Sequence, residues 1–416
     1  MENTPRAAPW PLASLLLVAA GTFLSVTTEM LPMGLLSSIS HDLRVSEPSV
    51  GLLVTGYALM VALFAAPLGR ATARLPRRAL FVGTLVAYAG SSVLMAVSTA
   101  YPIAAVARLL GGLTHGVFWA MVAGYVARLV PPERLGRAVT IVFSGGTVAV
   151  LVGVPLGTGL GVAIGWRASF LALSGATALV ALVASRLLPP MPGETAATET
   201  SLVRVLRTPS VTVVAVTTAL TMLGYFAFYT YISPFLQASG VAEKTLGPAL
   251  FGYGVAGAVG LFLAGMLVDR RPRLAMLSGG GILTAALVFL AVAPDGPVLA
   301  VAGVMVAGLA LNGLAVLVQA AILRAAPPQA GDTASALNAS AFNLGIGGGA
   351  LLGGQVLAGW GTGALPAVAA VLTGAGLLGV LYGRRDGFPA VIETVRPPAP
   401  RSPEDRPAEY GAGRTS

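Results

Sequence analysis

Thr27-Thr28-Glu29-Met30-Leu31-Pro32-Met33-Gly34 closes the first long apolar run of the chain, which begins near Trp10. Glu29 sits inside that run. Of the 16 acidic residues, it is the one that lies in neither a loop, a tail nor a helix end. A carboxylate in hydrocarbon is expensive, and such residues usually mark ion or substrate pathways. The run around it is therefore read first as a membrane span and second as a functional site.

The composition supports the first reading. The chain is 56% hydrophobic and 10% charged, against about 25% charged in soluble domains. Its mean hydropathy is +0.83. Apolar runs recur at the length of about 20 residues that crosses a bilayer as a helix. A β-barrel would instead show alternating segments of about 10 residues. The first run is too long for a cleavable signal peptide, and no small-residue cleavage site follows it, so it reads as a retained span. The expected fold class is all-α integral membrane.

Reading apolar runs against loop signals gives twelve spans: 11–36, 49–67, 79–98, 102–127, 138–163, 168–188, 210–236, 247–268, 274–293, 298–323, 333–359 and 362–382. Charge placement tests this division. If the N-terminus is cytoplasmic, the even-numbered connections and both tails should be basic. Arg6 lies in the first tail, and Arg70, Arg74, Arg77 and Arg78 between spans two and three. Arg128, Arg134 and Arg137 follow span four; Arg186, Arg204 and Arg207 flank the central loop. Arg270, Arg271 and Arg273 follow span eight, Arg324 follows span ten, and six arginines occupy the last tail. Of the 25 basic residues, only Arg44, Arg167 and Lys244 fall on the other side, and Arg108 is intramembrane. The net charge of +9 is thus a topology signal and not a nucleic-acid surface.

The segment 189–209 is polar and reads as a cytoplasmic linker between two bundles, 1–188 and 210–385. The tail 386–416 is rich in Pro, Arg and Glu without apolar period and reads as disordered. The halves resemble each other, a repeat signal. Gly69 through Arg74-Leu75-Pro76-Arg77-Arg78 follows span two, and Gly265 through Asp269-Arg270-Arg271-Pro272-Arg273 follows span eight. Glycine-rich spans five and eleven fall at corresponding positions.

Several functional classes drop out. There is no cysteine, hence no disulfide or thiolate metal site. With two histidines and no cysteine, no metal site is expected. No glycine-rich loop ends in Lys-Ser or Lys-Thr, so ATP is not the expected drive. No catalytic triad or metal motif is present, and no enzymatic activity or cofactor is expected.

What remains are polar residues at membrane depth. Arg108, Gly111, Gly112, His115 and Trp119 share one face of span four. Counting from the outer span ends at 1.5 Å per residue, Arg108 and Glu29 both lie roughly 10 Å deep. They are candidate partners in a polar centre with His115; alternatively Arg108 bonds backbone carbonyls, and His115 is structural. Burial disfavours a charged carboxyl and a nearby guanidinium favours it, so an acid alternating between such surroundings can carry protons. Glu29 is the acid placed to do so. Span seven supplies Tyr225 and Tyr229 on one face, as interface anchors or cavity walls. Asn312 and Gln319 in span ten, and Asn338, Asn343 and Gln355 in span eleven, either bind substrate or join helices. In span five, Gly145, Gly153, Gly157 and Gly161 allow close approach, and Pro155 bends the helix. A bent, glycine-faced helix between two bundles would make a sliding surface. Gly69, Arg74, Arg77, Arg78, Gly265, Asp269 and Arg270 are candidates for the cytoplasmic gate loops.

These motifs together resemble the major facilitator superfamily, in its twelve-helix drug/proton antiporter branch near the bacterial sugar-efflux and arabinose-efflux permeases. Thr28-Glu29-Met30-Leu31-Pro32-Met33-Gly34-Leu35-Leu36 is similar to the branch's first-helix signature. Arg108 and His115-Gly116-Val117-Phe118-Trp119 resemble its fourth helix. Gly145 through Gly157-Thr158-Gly159-Leu160-Gly161 and Gly165-Trp166-Arg167 resemble the antiporter motif of the fifth. Phe342-Asn343-Leu344-Gly345-Ile346-Gly347 resembles the eleventh. The resemblance covers residues 11–385. It implies two six-helix bundles around a central cavity, rocking between two open states, and export driven by proton influx. It implies Glu29 as the proton or substrate acid, Arg108 as the motif arginine of the fourth helix, and a monomer. One departure stands out. The loop after span two usually carries Asp where this chain has Ala73, whereas the second half keeps Asp269.

The expectation is proton-coupled efflux of a small organic molecule, sugar or drug-like, across a bacterial cytoplasmic membrane, with both termini inside. The alternatives are a uniporter or importer of the same fold and, from a different class, a sensor that moves nothing. Partners are the substrate, protons and the lipid bilayer; nucleic acid is not expected.

Overall fold

The structure, a computed structural model, describes residues 11–131, 134–193, 204–205, 207–267, 271–292, 296–327, 330–383 and 387–388. Among the described residues the chain is helical, with no strand. Among the described residues, twelve helices are long and apolar enough to cross a membrane. Spans one to four are Leu12–Gly34, Glu47–Thr72, Arg77–Ala96 and Tyr101–Leu129. Span five runs from Leu135 to Val148, through a π turn at Ala149–Gly153, and on from Val154 to Ile164; span six is Trp166–Leu187. Spans seven to twelve are Pro209–Tyr229, Leu246–Leu267, Pro272–Val292, Pro297–Ala325, Gly331–Trp360 and Leu365–Tyr382. The chain is a multi-pass membrane protein.

Two elements escaped the reading of the sequence. Short helices Leu36–Leu43 and Ile232–Ala238 follow spans one and seven, where the apolar pattern had run straight on to 36 and 236. The second break has a local cause. Pro234 has no N–H to return to the carbonyl four residues back, so the helix interrupts at Thr230–Tyr231 and restarts. That both breaks occupy equivalent places is the internal repeat made visible. Span five shows the same chemistry. Pro155 leaves the carbonyl of Leu151 without its usual partner, and Leu151 lies in the π turn.

Large apolar side chains face outward along every span, among them Leu63, Leu156, Phe262 and Val371. In lipid this girdle costs nothing, so association inside rests on close packing and hydrogen bonds. Small residues supply the closeness. The two halves meet at two symmetry-related seams, span two on span eleven and span five on span eight. At the first, Thr55 Oγ1 donates to the Gly347 carbonyl at 3.0 Å, and a side chain at Gly51 would collide with the Tyr231 ring. At the second, Gly254 lies on the backbone of Val150–Leu151 and Gly247 on Gly159. These contacts fall in the parts of the spans nearer the arginine-poor end. The glycines Gly145, Gly153, Gly157 and Gly161 are not among them. They face span one, against Ala19, Thr27, Leu31 and Leu35. The spacing of four correctly marks one face, but that face is turned into the first bundle, not towards the second.

At the arginine-rich end, the loop after span two holds the start of the central linker. The Arg77 backbone N–H donates to Met191 O at 2.9 Å, and Arg78 Nη1 to Leu188 O at 3.3 Å. Gly193 lies against the Arg74 backbone, and Gly69 packs on Ala120 of span four. Gly265 has open space where a side chain would stand. Asp269, Arg270 and the tail from 389 onward lie outside the described residues, as do linker residues 194–203 and 206.

Candidate functional site

Pro32 organises the first bundle's interior. It lies inside span one and cannot donate to the carbonyl of Thr28, four residues back. Arg108 of span four supplies the missing donor: Nη1 bonds Thr28 O at 2.8 Å, and Nη2 bonds Glu29 O at 3.1 Å. The guanidinium carbon lies 4.1 Å from the centre of the Tyr57 ring, a cation–π distance. Arg108 is 3% exposed. Of the two sequence readings, the geometry is that of an arginine on backbone carbonyls. No ion pair joins Arg108 to the Glu29 carboxylate.

The carboxylate turns to His115 instead, with Oε2 3.7 Å from Nε2. That is an ion-pair distance and too long for a direct hydrogen bond. The opposite ring nitrogen, Nδ1, meets hydroxyls from two other spans: Tyr57 Oη at 2.9 Å and Ser25 Oγ at 3.1 Å. Ser25 Oγ also pairs with Tyr88 Oη of span three at 2.7 Å. Four spans thus converge on one imidazole. Gly111 and Gly112 explain how. A side chain at either would strike Tyr57, so their absence of one lets span two lie close enough for Tyr57 to touch both Arg108 and His115. Trp119, a turn beyond His115, packs 5.9 Å from it and 5.3 Å from Phe143 between ring centres. Its indole nitrogen is buried without a hydrogen-bond partner.

The second bundle answers with aromatic rings and amides. Tyr225 stacks on Tyr229 at 5.2 Å, and Tyr229 lies 5.2 Å from Tyr253 of span eight. The hydroxyls of Tyr225 and Tyr253 meet at 2.5 Å. All three tyrosines are buried. Deeper along the bundle, Thr218 Oγ1 donates to Asn338 Oδ1 at 3.1 Å, Asn338 Nδ2 to Gln319 Oε1 at 2.8 Å, and Gln319 Nε2 to Ser335 Oγ at 3.1 Å. Asn338 and Gln319 therefore join spans seven, ten and eleven to one another. Asn312 bonds its own helix at Gly308 O, 3.4 Å, and fits against Gly257. Asn343 bonds its own helix at Ala339 O, 2.9 Å, and its Oδ1 is buried and unpartnered. Gln355 is exposed. Among the described residues no cluster of His, Asp and Glu could hold a metal ion.

Ser25, Tyr57, Tyr88 and Tyr253 were not singled out from sequence. Each sits in an apolar run where one hydroxyl passes as ordinary core. The available signal was the adjacent pair Gly111-Gly112, which announces a bulky neighbour without naming it.

The family model described as Major Facilitator Superfamily matches residues 18–346 and 214–410. The chain belongs to that superfamily. It is a transporter and not an enzyme, and transport implies a small-molecule substrate. A protein named chloramphenicol efflux pump, from Mycobacterium tuberculosis, is 38% identical over 290 residues, 69% of each chain. One named probable sugar efflux transporter, from Mannheimia succiniciproducens, is 33% identical over 276 residues, 66% of this chain and 70% of that one. Among solved structures, a bacterial homolog of the human lysosomal transporter Spinster, inward-facing and occupied, superposes with a TM-score of 0.75 at 14% identity. The match covers 91% of this chain and 98% of that one. At that identity it speaks for the fold.

Proposed function

We propose that this protein exports a small organic molecule, sugar or drug-like, across the bacterial cytoplasmic membrane in exchange for protons. The observation that carries the reading is the Glu29 carboxylate: buried at membrane depth, facing His115, and in no ion pair with Arg108, whose guanidinium donates to backbone carbonyls. A neutral acid and a charged one differ most in such a place. An acid not tied up by an arginine can gain and lose a proton without breaking the fold. The names of the two relatives, one a drug pump and one a sugar exporter, support efflux. The arginine distribution supports cytoplasmic termini. With the halves in contact toward the arginine-poor end, this form is read as the state closed to the outside.

Transport alternates between this state and one in which the seams at Gly51–Tyr231 and Gly254–Leu151 part. In the outward-open state Glu29 takes a proton and substrate leaves. In the inward-open state the proton is released and substrate binds between Glu29, His115 and Trp119 on one side and Tyr225, Tyr229 and Asn343 on the other. The driving force is the proton gradient, with no further cofactor. Export from cells expressing the protein should collapse on addition of an uncoupler. Active export that persists without a proton gradient would refute the reading.

A further inference from the structure

The imidazole of His115 is placed as few buried histidines are. One nitrogen faces a carboxylate, and the other faces only hydroxyls. Nδ1 has Tyr57 Oη at 2.9 Å and Ser25 Oγ at 3.1 Å; Nε2 has Glu29 Oε2 at 3.7 Å. A neutral imidazole carries one proton and has two tautomers. A hydroxyl can either donate or accept, so Tyr57 and Ser25 can satisfy Nδ1 in both. An acid or an amide nitrogen at the same spot would fix one tautomer and penalise the other, because an unpaired buried polar group is costly. The surroundings therefore leave the choice of tautomer to Glu29. An ionised Glu29 favours a proton on Nε2, pointing at it. A protonated Glu29 favours a bare Nε2 and a proton on Nδ1. The other titratable and charged groups facing the ring are Tyr57, Tyr88 and Arg108, and Arg108 is held to the carbonyls of Thr28 and Glu29.

We propose that His115 is a tautomer switch coupled to Glu29: the ring proton sits on Nε2 while the carboxylate is ionised and on Nδ1 once it is protonated. The proposal rests on the reading of Glu29 as the proton site. With Glu29 ionised, Nε2 holds the ring proton and Nδ1 accepts from a hydroxyl. When Glu29 takes a proton from water, its O–H donates to a bare Nε2, and the ring proton sits on Nδ1, donated to a hydroxyl. One proton has left water, one carboxylate has become a carboxylic acid, and each hydroxyl is whole. The ring stays neutral and has exchanged tautomers. The 3.7 Å gap closes by a small ring movement or by one bridging water.

The chain has two histidines, His41 and His115, and His41 lies exposed on the short helix Leu36–Leu43. The variant His41→Gln therefore leaves one imidazole to observe. The full chain, labelled with ¹⁵N-histidine and reconstituted in lipid vesicles, gives Nδ1 and Nε2 shifts that distinguish both tautomers and the doubly protonated ring. Across the pH range in which substrate-evoked proton flux changes, the proton should move from Nε2 to Nδ1 as pH falls. With Glu29→Gln added, folding being checked by thermal unfolding in detergent, the tautomer should no longer respond to pH. A single tautomer throughout the range overturns the proposal, as does a doubly protonated ring or a pH response that survives Glu29→Gln. Coupled flux that survives Glu29→Gln would instead overturn the reading of Glu29 itself, so the two failures are distinguishable.

Discussion

In the last turns of span one the first bundle carries Glu29; in the last turns of span seven the second bundle carries Tyr225 and Tyr229. Both spans then break into a short helix, Leu36–Leu43 in one case and Ile232–Ala238 in the other. The two halves repeat the frame and not the chemistry. The first buries a carboxylate, a guanidinium and an imidazole, and holds them with hydroxyls from three spans. In the second, the buried polar groups among the described residues are hydroxyls and amides. The difference teaches a division of labour. Charge that must change sits in one bundle, where Arg108 and Tyr57 hold the local geometry fixed. The other bundle offers rings and polar tips that need not change protonation. In the proposed exchange, the proton site and the apolar wall stay apart until the bundles face each other.

The largest structural effect should come from removing the guanidinium. Arg108→Gln leaves the carbonyl of Thr28 unpaired and should cost about 3 kcal/mol of stability, the scale for breaking a buried charged network. Adding Pro32→Ala restores an N–H for Thr28 O and should recover about 1 kcal/mol, the worth of one hydrogen bond. Thermal unfolding in detergent reads both. An Arg108→Gln loss that Pro32→Ala leaves untouched would show that Arg108 does not stand in for the missing N–H.

Next in size is the second bundle. Tyr253→Phe removes one end of the hydroxyl pair with Tyr225 and should raise the KM for export about tenfold, as expected for about 1.4 kcal/mol. The number of protons moved per substrate should stay the same. A changed stoichiometry would break the division between halves. Smaller again, Asn338→Ala strips one link from the Thr218–Asn338–Gln319–Ser335 chain and should lower stability by about 1 kcal/mol, with KM unchanged. A raised KM would return Asn338 to the cavity wall. The smallest effect belongs to the arginine-poor rim, where Asp42 pairs with Arg167 and accepts from Trp166 Nε1 at 2.9 Å. Both charged side chains are more than a third exposed, and Asp42→Asn should cost less than about 1 kcal/mol.

The twelve spans were legible because the bilayer imposes them: length, apolarity and the sorting of arginine are constraints that act on each segment alone. Glu29, Arg108 and His115 were legible for the same reason, as polar groups where polarity is costly. Their partners were not. Equal depth made a Glu29–Arg108 pair the natural expectation, yet Pro32 was the better clue, since a proline inside a helix orphans a named carbonyl. The glycines of span five declared a close approach but not a neighbour, because spacing fixes a face and only tertiary packing says what covers it. For the same reason five amides at membrane depth looked alike in sequence, while the structure ties Asn338 and Gln319 to each other and leaves Asn343 Oδ1 without a partner.

In the proposed exchange, Glu29 is the carboxylate that couples the proton to transport. Internal pH in proteoliposomes, followed while a panel of sugars and antibiotics is added, tests it directly for the wild type and Glu29→Gln. The account predicts a substrate-evoked proton flux in the wild type that falls by about 100-fold or more in the variant, with expression and thermal unfolding unchanged. Equal proton flux in both proteins, or counterflow of a substrate with no proton flux in either, would contradict it.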